Sequence, residues 1–149
     1  ENMGCIIETE NILLQVQADT WEEALVKSGE LLVKSGYIKK GYIDKTIEGV
    51  KEFGPYIVIG PGLALAHARP DENVLKTGIS LVTLRQALDF GSELGPVRVV
   101  ITLAAVDDSS HIDKLQVIAG LLSDEENMER VCRAEDPESV AGMFNSFEI

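Results

Sequence analysis

Long hydrophobic runs are missing from this sequence of 149 residues. No apolar stretch approaches the ~20 residues that a membrane-spanning helix needs. The first residues also lack the charged and apolar pattern of a secretory leader. We therefore expect a cytoplasmic chain that is not inserted in a membrane. Its length suits one hydrophobic core, so residues 1–149 are interpreted as a single domain.

Cysteine is nearly absent, and its two occurrences lie in unrelated contexts. Cys5 and Cys132 show no metal-ligand spacing, and neither has a histidine close by in the sequence. Cytoplasmic proteins also rarely keep disulfides. The cysteines therefore argue against a disulfide, a metal site and a catalytic thiol.

Basic residues are also few. Lysine and arginine number 13 against 25 acidic residues, which gives a formal net charge of −12. A nucleic-acid-binding protein needs a basic patch to neutralise phosphates, and none is visible, so we expect no nucleic-acid partner. The acidic excess is concentrated in residues 107–149. Solvated helix faces explain most of it, and an acidic surface also steers a basic protein partner.

What the sequence does contain is a regular succession of apolar patterns. Five short runs predict β-strands at residues 11–17, 56–59, 63–66, 78–84 and 97–103. Helical patterns predict one helix capped by Asp19 or Thr20 and ended by Gly36, and others over 40–53, 109–122, 124–132 and from 136 onward. This order predicts an α/β fold, a mixed five-stranded sheet with helices on both faces in a three-layer sandwich.

Histidine occurs only twice, and the first histidine has an unusual setting. His67 stands between small residues at the end of an apolar run, in the segment 60–70. Its neighbours give little side-chain cover, so a large partner can reach the ring. Neutral imidazole is an established covalent nucleophile. His67 is therefore a candidate covalent carrier residue, while a packed histidine at a strand end remains the alternative.

The second histidine, His111, follows another apolar strand pattern after a polar turn. A helical pattern opens at the same place, and a helix N-terminus binds anions through its free N–H groups and its dipole. His111 is therefore a candidate contributor to an anion site. In the simpler alternative, Asp108 or Ser109 caps the helix and His111 is a surface residue of its first turn.

A set of ordered motifs surrounds the first histidine, namely Glu52, Ile59-Gly60, Leu63-Ala64-Leu65 and His67-Ala68. Together they resemble the phosphorylation-site pattern of the enzyme IIA domains of the bacterial phosphoenolpyruvate-dependent sugar phosphotransferase system, mannitol–fructose type. The segments 54–59, 67–70, 76–82, 103–107 and 110–112 look most like the ascorbate branch of that family. The resemblance spans about residues 20–124.

The resemblance implies a phosphocarrier that is itself a phosphotransferase and that needs neither a metal nor an organic cofactor. His67 Nε2 would accept a phosphoryl group from the small histidine-containing phosphocarrier protein and pass it to a cysteine of a IIB component. That component is coupled to a membrane IIC permease, which chooses the sugar, here an ascorbate or pentitol-like one. The family carries a second histidine at the position of His111, close to the active one, which implies that it stabilises the phosphoryl group.

Further candidates for phosphate binding follow from the same resemblance. They are the backbone N–H groups near Ser109 and Ser110 and the charges of Lys51, Arg69 and Lys76. For Arg69 and Lys76, the simpler alternative is a solvated side chain on a loop. Lys51 stands where mannitol-type members carry an arginine, and lysine cannot make the planar two-point contact with a phosphate. A second departure is Ala66, which replaces the family proline before the active histidine and adds a backbone N–H.

Two other functions remain open on the sequence alone. The first is a regulatory protein of the same fold that is phosphorylated on His67 and controls another protein. The second is a non-catalytic interaction module in which Ala66 marks the decay of the site. Uptake of phosphate distinguishes the phosphocarrier and the regulatory protein from the interaction module.

Overall fold

A computed structural model describes residues 5–149, which form a mixed five-stranded sheet and five α-helices. The strands are β1 (Ile12–Val16), β2 (Val58–Gly60), β3 (Gly62–Ala66), β4 (Gly78–Leu88) and β5 (Val97–Ala104). The helices are α1 (Trp21–Lys34), α2 (Lys40–Phe53), α3 (Ile112–Leu122), α4 (Glu125–Arg133) and α5 (Pro137–Asn145). The predicted order of strands and helices is confirmed.

Across the sheet the strand order is β1-β4-β5-β3-β2. β3 runs parallel to β5 and β1 runs parallel to β4, whereas the β4–β5 and β2–β3 pairs are antiparallel. In the β3–β5 pair, Ala66 is in register with Thr102. Because these neighbours run the same way, their carboxyl ends reach one edge of the sheet, and the loops that follow them meet there.

Side chains alternate between two apolar layers, one on each face of the sheet. On β3, Leu63 and Leu65 join a cluster with buried residues of α3, α4 and α5. Ala64 and Ala66 join the opposite cluster, which contains buried residues of α1 and α2. The predicted three-layer sandwich is therefore confirmed.

The helices are short, and side chains cap three of them. They contain between 9 and 14 residues. Thr20 caps α1 by accepting the Glu23 N–H at 3.1 Å, which decides between the two predicted caps. Asp124 and Asp136 cap α4 and α5 in the same manner. None of the helices in residues 5–149 has the length and hydropathy to cross a membrane.

The start of α3 differs from the predicted one. The helix begins at Ile112, and its N-cap is His111, which makes no capping bond through its side chain. The prediction that Asp108 or Ser109 caps the helix was therefore wrong. The cause is local, since the Asp107 carboxylate accepts the Ser109 N–H at 3.0 Å and closes a turn before the helix can begin.

The length of β4 also differs from the prediction. The strand continues to Leu88, although its apolar run ends at Leu84. Residues 85–87 are exposed, so this end of the strand carries no burial pattern that a sequence analysis could detect.

Candidate functional site

A cavity of about 690 Å³ opens at the sheet edge where β3 and β5 end. His67, directly after β3, and His111, directly before α3, both line it. Helix α2 and the residues after it supply another wall, which includes Tyr42, Lys45, Glu48, Gly49, Glu52, Phe53 and Tyr56. The structure thus brings the two histidines of the sequence to one cavity.

The ring of His67 is held by its own strand. Its Nδ1 atom lies 2.9 Å from the carbonyl oxygen of Leu65. A carbonyl oxygen only accepts hydrogen bonds, so this contact places a proton on Nδ1. In the neutral ring the lone pair then belongs to Nε2, which becomes the nucleophilic nitrogen.

Two aromatic side chains, which the sequence analysis did not select, stand beside His67. The Tyr56 ring meets the His67 ring edge to face, with centroids 5.7 Å apart and planes at 82°. Its hydroxyl donates a long hydrogen bond of 3.4 Å to the His67 carbonyl. Phe53 packs on Tyr56 with centroids 6.5 Å apart and remains 71% exposed. These rings form an apolar wall on one side of the His67 ring.

Helix α2 also holds the backbone that follows His67. The Tyr42 hydroxyl accepts the Ala68 N–H at 2.9 Å and donates to the Leu103 carbonyl at 2.6 Å. Lys45 Nζ, three residues further along the helix, donates to the Arg69 carbonyl at 3.0 Å. Residues three apart share one helix face, so two side chains of α2 fix two successive residues of this loop.

Lys45 makes a second contact, with the carboxylate of Asp71 at 2.7 Å. The hydrogen bond from Lys45, together with that from the Asn73 N–H, lowers the pKa of the Asp71 carboxyl. The loop after β3 therefore has an ionic anchor on α2 in addition to its neutral hydrogen bonds.

Two glycines let other parts of the chain approach α2 closely. A Cβ atom on Gly41 would lie 2.7 Å from Asn73 Oδ1, and one on Gly49 would lie 2.9 Å from the Tyr56 hydroxyl oxygen. Contacts below 3.0 Å force a neighbour to move. Glycine in a helix interior is unfavourable by itself, so these two positions serve the close packing of α2 against the residues around the cavity.

The loop that leads to His111 is organised differently. Asp107 Oδ1 accepts the N–H groups of Ser109 at 3.0 Å and Ser110 at 2.7 Å, and these bonds lower the pKa of the Asp107 carboxyl. The Ser110 and Thr77 hydroxyls are 2.6 Å apart. The Nδ1 atom of His111 is buried and has no hydrogen-bond partner among the described residues.

The candidate phosphate-binding residues do not all reach the cavity. Arg69 lines it, and its side chain makes no ion pair within residues 5–149. Lys51, Ser109 and Ser110 are not on its lining, and the N–H groups of the two serines already donate to Asp107. A role for these three residues stays a prediction. Lys76 lies instead over the Tyr37 ring, 4.5 Å from its centroid.

The charge on the cavity lining is mainly negative. Its carboxylates are Glu48, Glu52, Asp107 and Asp108, and its cations are Lys45 and Arg69. Since Lys45 is paired with Asp71, Arg69 is the lining cation left for an anionic guest. Residues 5–149 contain no group of three or more His, Cys, Asp or Glu side chains arranged to hold a metal ion.

Comparisons with known proteins agree with this fold. The family model for the phosphoenolpyruvate-dependent sugar phosphotransferase system, EIIA 2, matches residues 5–146. The ascorbate-specific PTS system EIIA component of Escherichia coli is 44% identical over 134 residues, which cover 87% of each chain. The crystal structure of a putative PTS IIA domain from Streptococcus pyogenes is 30% identical, with a TM-score of 0.86 and 99% of each chain covered.

A further solved structure is a complex of enzyme IIAMTL and phosphorylated enzyme IIBMTL from Escherichia coli. It is 29% identical to this chain, with a TM-score of 0.83, and the match covers 95% of this chain and 98% of the other. The family match spans nearly the whole chain, and the two histidines lie together at one sheet edge. The chain belongs to the EIIA 2 family of the phosphoenolpyruvate-dependent sugar phosphotransferase system and is a phosphotransferase component of it.

Proposed function

We propose that this chain is a cytoplasmic phosphocarrier whose His67 Nε2 accepts a phosphoryl group from the histidine-containing phosphocarrier protein. The observation that carries the proposal is the bond between His67 Nδ1 and the Leu65 carbonyl at 2.9 Å. The bond between phosphorus and the donor histidine breaks while the Nε2 lone pair forms the new one. The positive charge that develops on the ring is then stabilised by the Leu65 carbonyl, which accepts the Nδ1–H.

The phosphoryl oxygens are assigned to His111 and Arg69. Both residues line the cavity beside His67, and the Arg69 guanidinium is free of carboxylate partners within residues 5–149. Because Nδ1 of His111 is buried without a partner, Nε2 is the nitrogen of that ring that serves the cavity. Phosphoryl transfer needs positioning and charge stabilisation more than it needs further covalent chemistry from the protein. Lys51, Ser109 and Ser110 remain secondary candidates for the same oxygens.

The onward acceptor in this proposal is a cysteine of a IIB component that is coupled to a membrane IIC permease. The similar enzyme IIAMTL of Escherichia coli was solved in complex with phosphorylated enzyme IIBMTL, which supports a IIB partner here. The sugar is proposed to be ascorbate or a pentitol-like compound, because the 44% identical relative is named ascorbate-specific.

The test is phosphoryl transfer to the wild-type chain and to His67→Ala, measured by mass spectrometry after incubation with phosphoenolpyruvate and the general phosphotransferase proteins. We expect one acid-labile phosphate on wild type and none on His67→Ala. Acid-labile phosphate on His67→Ala would disprove the assignment. Uptake on wild type without onward transfer to a IIB cysteine would favour the regulatory alternative, and no uptake at all would favour the interaction module.

A further inference from the structure

The hydrogen-bond ladder between β3 and β5 ends next to His67, where a side chain takes the place of a backbone hydrogen bond. Leu65 donates its N–H to the Ile57 carbonyl at 2.7 Å, on the β2 side of β3. Successive N–H groups of a strand point to opposite sides, so the N–H groups of Ala66 and Ala68 point toward β5. Ala66 is in register with Thr102. Continued by one step, this ladder would join the Ala68 N–H to the Leu103 carbonyl.

A side chain from another layer occupies that step instead. The Ala68 N–H donates to the Tyr42 hydroxyl at 2.9 Å, and this hydroxyl donates to the Leu103 carbonyl at 2.6 Å. One hydroxyl carries one proton, and the shorter contact to Leu103 is favoured over that to the Ala68 carbonyl at 3.2 Å. The Tyr42 ring is only 1% exposed. The two strands therefore remain connected at this point, but through an inserted oxygen atom.

We propose that Tyr42 is a positioning residue for His67, because its hydroxyl replaces one ladder bond and spreads the end of β3 away from β5. His67 lies between Ala66, the last paired residue, and Ala68, the residue that the hydroxyl holds. The spread produces the opening in which both histidines face one cavity. The consequence for phosphoryl transfer rests on the proposed function, whereas the consequence for the geometry of His67 does not.

The protonation state of Tyr42 allows its hydroxyl to connect Ala68 to Leu103 at all times. Burial raises the pKa of Tyr42 to about 12, so the hydroxyl keeps its proton at any physiological pH and always donates to Leu103. Phenylalanine would fill the same space but leave one N–H and one carbonyl without a partner. A buried unpaired polar group is unfavourable, so the loop would shift to find another partner for Ala68, and His67 would move with it.

The experiment compares Tyr42→Phe with the control Tyr37→Phe. Tyr37 contacts Gly78 and Lys76, and its hydroxyl has no hydrogen bond among the described residues. The first readout is the ¹⁵N spectrum of the His67 ring without phosphate. We expect wild type and Tyr37→Phe to show the proton on Nδ1 alone, and Tyr42→Phe to show a mixture of the two neutral forms.

The second readout is the rate of phosphoryl transfer at saturating donor and the donor concentration that half-saturates it. A misplaced nucleophile lowers the saturated rate by roughly 10–100-fold and leaves the half-saturating concentration unchanged. Wild-type values for Tyr42→Phe in both readouts would overturn the inference. If wild type takes up no phosphate, the proposed function fails, and the ring spectrum still decides the role of Tyr42.

The wild-type chain provides a measurement that does not depend on the folding of Tyr42→Phe. If the hydroxyl is a ladder relay, the Ala68 amide exchanges with solvent as slowly as the Ala66 amide. Exchange of Ala68 at the rate of the exposed amide of Glu72 would show that the relay does not hold the loop, and would overturn the inference even if the variant fails to fold.

Discussion

The two loops that frame the cavity are held in different ways. The loop after β3, residues 67–73, is bound by a neighbouring helix, because Tyr42 and Lys45 of α2 contact its backbone and Asp71. The loop after β5, residues 105–111, is held by its own Asp107 carboxylate and by the Thr77 hydroxyl that precedes β4. Their histidines also differ, since His67 has a fixed tautomer and His111 has a buried nitrogen without a partner among the described residues.

This difference separates two requirements of group transfer. In the proposed transfer, the nucleophile must be in position before its partner arrives, and the bonds from α2 to the first loop would position His67. A group that stabilises transferred charge is needed only when the charge is present. Before that, the unpaired nitrogen of His111 lowers the stability of the second loop. An unpartnered buried polar atom of this kind is rare in folded proteins.

The largest expected effect comes from removing the unpaired ring. His111→Ala should fold normally and still take up phosphate on His67, but about 10²–10³ times more slowly, because one electrostatic donor is lost. Stopped-flow transfer from the phosphorylated carrier measures this. Gln116→Ala, at an exposed position of α3, is the control. Equal rates for His111→Ala and wild type would make His111 a surface residue with no part in transfer.

The second effect tests the end of β3. The N–H of Ala66 points toward β5, so Ala66→Pro removes a ladder donor and leaves a carbonyl of β5 unpaired. Proline also lowers the conformational entropy of the unfolded chain, which offsets part of this loss of stability. We expect a net destabilisation of about 1 kcal/mol, which lowers the melting temperature by roughly 2–4 °C. A higher melting temperature would show that the strand tolerates the family proline and that Ala66 is not needed for its N–H.

A smaller effect is expected from the ionic anchor of the first loop. Lys45→Met removes the contacts to Arg69 and Asp71 and retains an apolar stem. Half-exposed ion pairs contribute little, so the melting temperature should fall by no more than about 4 °C, while the Asn73 amide exchanges faster with solvent. Lys40→Met, at an exposed position of the same helix, should change neither quantity. Unchanged exchange at Asn73 would leave Tyr42 as the only effective contact of α2 with this loop.

The smallest effect is a response to acid that both loops share. Hydrogen bonds lower the pKa of Asp71 and of Asp107. A carboxyl whose pKa is lower in the folded state stabilises the fold fully above its unfolded pKa, near 4. This stabilisation is lost as the pH falls through the pKa that the carboxyl has in the folded state. Carboxyl ¹³C titration should therefore show both groups ionised below pH 4, with Asp71→Asn and Asp107→Asn each removing one signal. A titration of either group at its ordinary pKa would show that its loop is open in solution.

Much of this architecture could be read from the sequence because it depends on local periodicity. The apolar patterns predict the strands and helices in the observed order, and the family resemblance predicts that the two histidines lie close together. The start of α3 could not be read, because the choice between a cap and a turn depends on which N–H groups Asp107 captures. Tyr42 and Lys45 were missed for another reason. A helical pattern shows that they share a face but not which loop, 24 or more residues away, that face will meet.

The acidic lining of the cavity bears on how long a phosphoryl group would stay on His67. Four carboxylates and the Arg69 guanidinium line the cavity in which a group with nearly two negative charges would lie. Like charges raise the free energy of such a group, so phosphorylated His67 would be less stable in this cavity than in an uncharged one. Such a carrier would pass its phosphoryl group on quickly, and little phosphorylated chain would accumulate. Because dissolved ions screen exposed carboxylates, added salt should lengthen the lifetime of the phosphorylated chain.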